Sequence, residues 1–194
     1  MSTDKFTIAL AQRKEEAVHR YLAKNCNILI TTFFPSGTAL CLSKFHFGST
    51  FISDFLLVGL WSTITDIVLV ELEPPHVRPF NRNGNFSRRL NGAIQQVTEW
   101  SAWIRENRRF FHDSILEKAA QVNPSCVSSL KHRIRHDMLR SKIVIGRRSM
   151  MSETDDARRA SLYLDSGGRI EIVPYDRLLD TSRRSGSNAN THNA

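Results

Sequence analysis

The stretch DIVLVELEPP, Asp66 to Pro75, decides the fold. Its apolar residues occupy consecutive positions from Ile67 to Val70, which predicts a central strand covered on both faces. Pro74 and Pro75 end it, because neither can donate to a sheet ladder. Side chains two apart on a strand point the same way, so Glu71 and Glu73 share a side, about 7 Å apart by strand rise. Leu72 then faces the opposite layer. Two carboxylates on an otherwise apolar strand are costly to bury without a positive partner. A hard cation with oxygen ligands, Mg²⁺ or Mn²⁺, would supply one.

Upstream, Phe51 to Leu60 reads as a second strand, joined to Ile64–Leu72 around Gly59 to Thr63. If the two pair as a hairpin, Asp54 approaches Glu71 across the sheet; their separation of 17 residues suits strand, turn and strand. A cation held by Asp54 and Glu71 would orient an attacking water and stabilise charge developing on phosphate oxygens, with Glu73 polarising the water or completing the metal shell. The structural alternatives are a polar edge residue at Asp54 and ion pairs between Glu71, Glu73 and arginines of the next helix. An acid followed by E-x-E is a weak pattern by itself.

Further out, apolar spacing predicts a helix from Ile8 to Lys24, with Glu15, Val18, His19 and Leu22 on one face. That helix offers a carboxylate from Glu15 or its neighbour Glu16. Asn27–Phe34 and Gly37–Phe47 read as β-prone runs parted by Pro35-Ser36-Gly37. Past the central strand, His76–Arg88 reads as a loop. Leu90, Ala93, Ile94, Val97, Trp100 and Ile104 mark a long helix whose second face carries Arg89, Gln96, Trp100 and Trp103. The segment from Phe110 to Ser141 reads as helix and loop without a clear division. Lys142–Gly146 and Arg169–Val173 read as strands, Asp155–Leu164 as a helix, and Tyr175–Leu179 as a terminal helical turn. The expected architecture is α/β, with one domain over residues 1–180 and a disordered tail over 181–194.

Composition narrows the partners. The chain of 194 residues has 41% apolar and 24% charged residues, ordinary for a globular protein. Its 27 Lys and Arg against 19 Asp and Glu give a net charge of +8, which favours a polyanion. Arg78, Arg82, Arg88, Arg89, Arg105, Arg108 and Arg109 meet only Glu99 and Glu106 in the same stretch, so these arginines are candidates for phosphate contact. A solvated helix face explains the same charges equally well. Cys26, Cys41 and Cys126 form no C-x-x-C pair, which argues against a disulfide framework or structural zinc and suits a reducing cytoplasm. No apolar run approaches the ~20 residues of a membrane span. His132 and His136, followed by Asp137, are a lesser candidate for metal ligation.

Five blocks taken in order resemble a known family. ISDFLL (52–57), DIVLVELEPP (66–75), LNGAIQQVTEW (90–100), KIVIGRR (142–148) and IEIVPYDRLL (170–179) are similar to the nuclease domain of the Shedu antiphage-defence family, over about Lys14 to Leu179. The resemblance implies a restriction-endonuclease-like PD-(D/E)xK core, a central mixed sheet flanked by helices. It also implies Mg²⁺- or Mn²⁺-dependent cleavage of nucleic acid, DNA first. It puts the family's acidic residue on Asp54, its E-x-K glutamate on Glu71, and its Q-x-x-x-Y element on Gln96 to Trp100, with Glu15 or Glu16 supplying the opening glutamate. Three departures stand out: Ser53 replaces a proline, Glu73 replaces the lysine, and Trp100 replaces the tyrosine. The resemblance further implies homo-oligomers and a regulatory protein partner. An inactive nucleic-acid-binding or regulatory module of the same fold is the alternative.

Overall fold

The computed structural model describes residues 5–34, 38–60 and 64–190. Five strands make one mixed sheet in the order β1 (Thr38–Phe47), β2 (Phe51–Leu60), β3 (Thr65–Leu72), β4 (Asp137–Val144) and β5 (Ile170–Val173). The β1–β2 and β2–β3 pairs are antiparallel, whereas the β3–β4 and β4–β5 pairs are parallel. Among the described residues eight α-helices flank the sheet: α1 (Lys5–Ala11), α2 (Glu15–Lys24), α3 (Cys26–Phe33), α4 (Arg88–Glu106), α5 (Arg108–Val122), α6 (Val127–Arg133), α7 (Glu153–Asp165) and α8 (Tyr175–Asn190).

Two apolar layers sandwich the sheet. Ile67 and Leu69 of β3, with Leu56 and Val58 of β2 and Ile143 of β4, pack on Val97, Trp100, Ile104, Phe111 and Ile115 of α4 and α5. Val68, Val70 and Leu72, with Phe55, Leu57 and Val144, pack on Phe6, Val18, Leu22, Leu29 and Leu178 of α1, α2, α3 and α8. The run Ile67–Val70 is apolar at every step because β3 is the middle strand and both its faces are covered. Each such side chain contributes about 1.5–3 kcal/mol on burial.

Several elements differ from the sequence reading. The helix expected over Ile8–Lys24 is broken in two, turning at Arg13, whose φ is 56°. Asn27–Phe34, expected as a strand, is helix α3. A short apolar run has no period that separates strand from buried helix, and here tertiary packing decides. Ile28 and Leu29 enter the core, while the Thr32 hydroxyl donates to the Ile28 carbonyl at 2.6 Å and lies 2.9 Å from the Thr181 hydroxyl of α8. The ambiguous stretch before β4 resolves into α5, α6 and the first half of a strand longer than expected. The segment read as a tail, 181–194, begins within α8, which runs to Asn190; 191–194 lie outside the described residues, as do the turn residues Pro35, Ser36 and Gly37 and, in the β2–β3 connection, Trp61, Ser62 and Thr63. Two of the dispersed cysteines meet: the Cys41 thiol donates to Cys26 Sγ at 2.7 Å.

The loop after β3 is held by its own polar groups. Asn81 Oδ1 accepts from the backbone N–H groups of Asn83 and Asn85 at 3.1 and 3.0 Å, and Phe80 bridges Phe86. Ser87 then caps α4, its hydroxyl accepting from Leu90 N–H at 3.2 Å. The result sets the first turn of α4, with Arg89, over the end of β3 where Glu73 sits.

Candidate functional site

The β2–β3 ladder stops one step short of Asp54. Its last pair is Phe55↔Val70, and the same register sets Asp54 opposite Glu71. Past that point the Leu72 N–H donates to Asp54 Oδ2 at 2.8 Å, so a side-chain carboxylate stands where a strand carbonyl would otherwise accept. The β1–β2 ladder is interrupted at the same level, between Ser43↔Phe55 and Phe45↔Ser53. The residue skipped on β1 is Lys44, with φ at 47°, and its ammonium donates to Asp54 Oδ1 at 2.5 Å. Ser53, standing where the resembling pattern has proline, is fully buried. His19 of α2 fixes the helix against this kink: its ring stacks on Phe55 at 4.8 Å, and Nε2 lies 3.3 Å from the Asp54 carbonyl oxygen it donates to.

Glu71 and Glu73 point to the α4 side of β3, as Ile67 and Leu69 do two and four residues earlier. At the strand end the Glu73 N–H donates to the Val144 carbonyl at 2.8 Å, and the Glu73 carbonyl accepts from the buried Tyr175 hydroxyl at 2.9 Å. The main chain is therefore fixed while the carboxylate is not: Glu73 Oε2 is buried without a hydrogen bond among the described residues, with Arg89 Nη1 3.8 Å away. Burial first, and then the charges of Asp54, Glu15 and Glu73, push the Glu71 carboxyl up to about 9. Burial likewise raises Glu73 to about 7 against the pull of Arg89. Glu15, in the first turn of α2, is raised by burial and by Asp54. The mutual effects place Glu15, Asp54, Glu71 and Glu73 within one electrostatic neighbourhood.

The donor chemistry of that neighbourhood fits a hard divalent cation: the carboxylates offer only oxygen, one oxygen is buried without a donor, and a cation would release the protons that burial retains. The side chains are not already folded around an ion. Among the described residues no three His, Cys, Asp or Glu side chains form a ready-made metal-ligand group, and Asp54 is turned toward Lys44 and the Leu72 N–H. Asp54 and Glu71, opposite each other in register, are the residues that would hold the cation, with Glu73 next along the strand either completing its shell or polarising a water.

The other residues singled out from the sequence divide. Glu15 is half-buried beside Asp54, whereas Glu16 is exposed and pairs with Arg20 at 2.9 Å. Gln96 is half-buried two turns along α4 from Arg89 and, among the described residues, bonds to none of the carboxylates. Trp100 is core, edge-on to Phe47; Trp103 packs on Phe47, Phe51 and Phe110. Arg88 and Arg89 open α4 beside the acidic cluster, and Arg82 is exposed in the preceding loop. Arg105, Arg108 and Arg109 are at the other end of that helix, roughly 25 Å away by helical rise. Arg105 and Arg108 there line a cavity of about 420 Å³ with Arg140 and Arg169. That cavity adjoins the first residues of β4, opposite the end of β3 that carries Glu71, so enclosure does not mark the acidic cluster; charge does. His132 and His136 are exposed, and Asp137 is engaged by Arg108 and by His112 at 3.2 Å.

Lys44 and His19 are the neighbours that the sequence reading missed as part of the site. Lys44 sits in an unremarkable strand, and the one signal that finds it is the register of β1 on β2, which sets residue 44 across from residue 54.

No curated protein matches this chain. A family model does, over residues 12–179, and it is described as Shedu protein SduA, C-terminal. With most of the chain inside that match and its five blocks on the strands and helices that build the acidic cluster, the protein belongs to the Shedu SduA C-terminal family, which carries a role in antiphage defence.

Proposed function

We propose that the protein is a divalent-metal-dependent nuclease that hydrolyses phosphodiester bonds, with DNA as its substrate. The observation that carries this reading is the opposition of Asp54 and Glu71 where β2 parts from β3, within a carboxylate cluster in which burial holds the Glu71 proton at neutral pH. Asp54 and Glu71 bind the cation, Mg²⁺ or Mn²⁺. Bound there, it would supply Lewis-acid stabilisation of charge on the phosphate oxygens. Glu73, raised to about 7, takes the proton of the attacking water as oxygen bonds to phosphorus and the phosphorus–oxygen bond to the leaving sugar breaks. Glu15 adds negative charge from α2, and Arg88 and Arg89 contact flanking phosphates. Control by a protein partner or by self-association completes the reading and rests on the family resemblance alone.

One observation favours a second reading, a nucleic-acid-binding module without catalysis: the carboxylates are not gathered as a ready ligand set. The two separate in one assay. Pure protein is incubated with linear, circular, nicked and single-stranded DNA and with RNA over a range of Mg²⁺ and Mn²⁺. Wild type cuts at least one substrate, and Asp54→Ala and Glu71→Ala lower the rate by about 10²-fold or more. Metal-independent, salt-sensitive binding without cleavage supports the module; equal cutting by all three proteins rejects the site.

A further inference from the structure

Lys44 is held in a way that nothing in strand packing requires. It is one of two non-glycine residues with positive φ among the described residues, and the other, Arg13, is in a turn between helices. Lys44 is instead inside a ten-residue strand, at the one step where the β1–β2 ladder is interrupted while the pairs on either side of it are kept. A left-handed lysine inside a strand is unfavourable, and such residues persist where the surrounding structure over-determines them, often at functional sites. The conformation brings the ammonium onto Asp54 Oδ1, at 2.5 Å, while the other carboxylate oxygen is taken by the Leu72 N–H. The Lys44 side chain is still 52% exposed, so its charge faces both the carboxylate and the solvent from which a phosphate would arrive.

From this placement we infer that Lys44 is the cationic working group of the acidic cluster: it contacts the phosphate oxygen under attack, and before substrate binds it neutralises Asp54. This deepens, and rests on, the nuclease reading given above. β3 supplies no cation here, since positions 71 and 73 are both glutamate. Arg89 stands off at 3.8 Å from Glu73. The ammonium that touches a carboxylate of the cluster comes from β1. No bond to Lys44 forms or breaks; its role is electrostatic, offsetting the charge that grows on the phosphate oxygens as water adds and the sugar oxygen leaves.

The inference makes two demands in opposite directions, which a merely structural lysine would not. Removing the ammonium frees Asp54 for a cation and removes a repelling charge, so Lys44→Met binds Mn²⁺ about tenfold more tightly by calorimetry. The same variant cuts about 10²-fold more slowly in kcat with KM nearly unchanged, the mark of a contact made in the transition state. Lys44→Arg retains part of the rate. Thermal melting of every variant shows that the fold is kept. A Lys44→Met protein that is folded and cuts within threefold of wild type overturns the inference, as does one that binds Mn²⁺ no more tightly than wild type. If wild type binds Mn²⁺ yet cuts nothing, the nuclease reading fails and the Mn²⁺ titration alone decides whether Lys44 controls the charge of the cluster.

Discussion

Glu71 holds its proton at neutral pH because burial and the charges of Asp54, Glu15 and Glu73 push its carboxyl up to about 9. Glu73 follows at about 7. Both start from an ordinary value of 4.5. The sign of the effect on stability is fixed by proton binding: above about pH 4.5 the unfolded chain has released these protons and the folded chain has not. Folding therefore loses stability as pH rises through about 5 to 9, while below that range both states are protonated and the contribution is constant. Metal-free protein should therefore melt lower at pH 9 than at pH 5, by several degrees or more. Saturating Mn²⁺ should flatten the slope, because the bound carboxylates are then ionised in the folded state. Melting curves at a series of pH values, with and without Mn²⁺, check this; a metal-free Tm that rises from pH 5 to 9 contradicts it. The parity of Glu71 and Glu73 and the reach of Asp54 to Glu71 were legible in the sequence, since period two and hairpin length suffice for both. Lys44 was not, because its position depends on an interruption in pairing that leaves no mark on residue type.

Among the elements, the hairpin and the sheet order follow from hydrophobic pattern, whereas α3 does not. Its residues favour a strand by side-chain type, and only contact with α8 and the burial of Ile28 and Leu29 makes them helical. The break at Arg13 was hidden for a related reason: apolar spacing continues across α1 and α2 and does not report a turn between them. α4 is the element that joins fold to site, since its first turn brings Arg89 to Glu73. Its start is set by the Ser87 cap. Ser87→Ala should lower stability by about 1 kcal/mol, read as a shift in urea midpoint with unchanged slope. A shift indistinguishable from zero would mean that the loop held by Asn81 positions the helix by itself.

At the scale of the whole molecule, a net charge of +8 coexists with a concentrated acidic cluster. Such a surface draws a polyanion in while the cluster repels it unless a cation intervenes. The arginines read from the sequence as one run are two groups, and the difference matters for binding. Arg88 and Arg89 are exposed beside the cluster, whereas Arg108 is committed to Asp137. Arg88→Ala and Arg89→Ala should each lower the slope of log K against log salt by about 1, and Arg108→Ala should leave it nearly unchanged. Fluorescence anisotropy on a short duplex measures the slopes; an equal loss for Arg108→Ala would show that nucleic acid runs the full length of α4.

The central claim is that Asp54 and Glu71 bind a divalent cation between β2 and β3. Anomalous diffraction from crystals soaked in Mn²⁺ tests it most directly. The predicted result is a manganese peak within about 2.5 Å of carboxylate oxygens of both residues, with the Lys44 ammonium displaced from Asp54. Manganese absent from that position at saturating concentration, or bound only elsewhere on the molecule, would contradict the account.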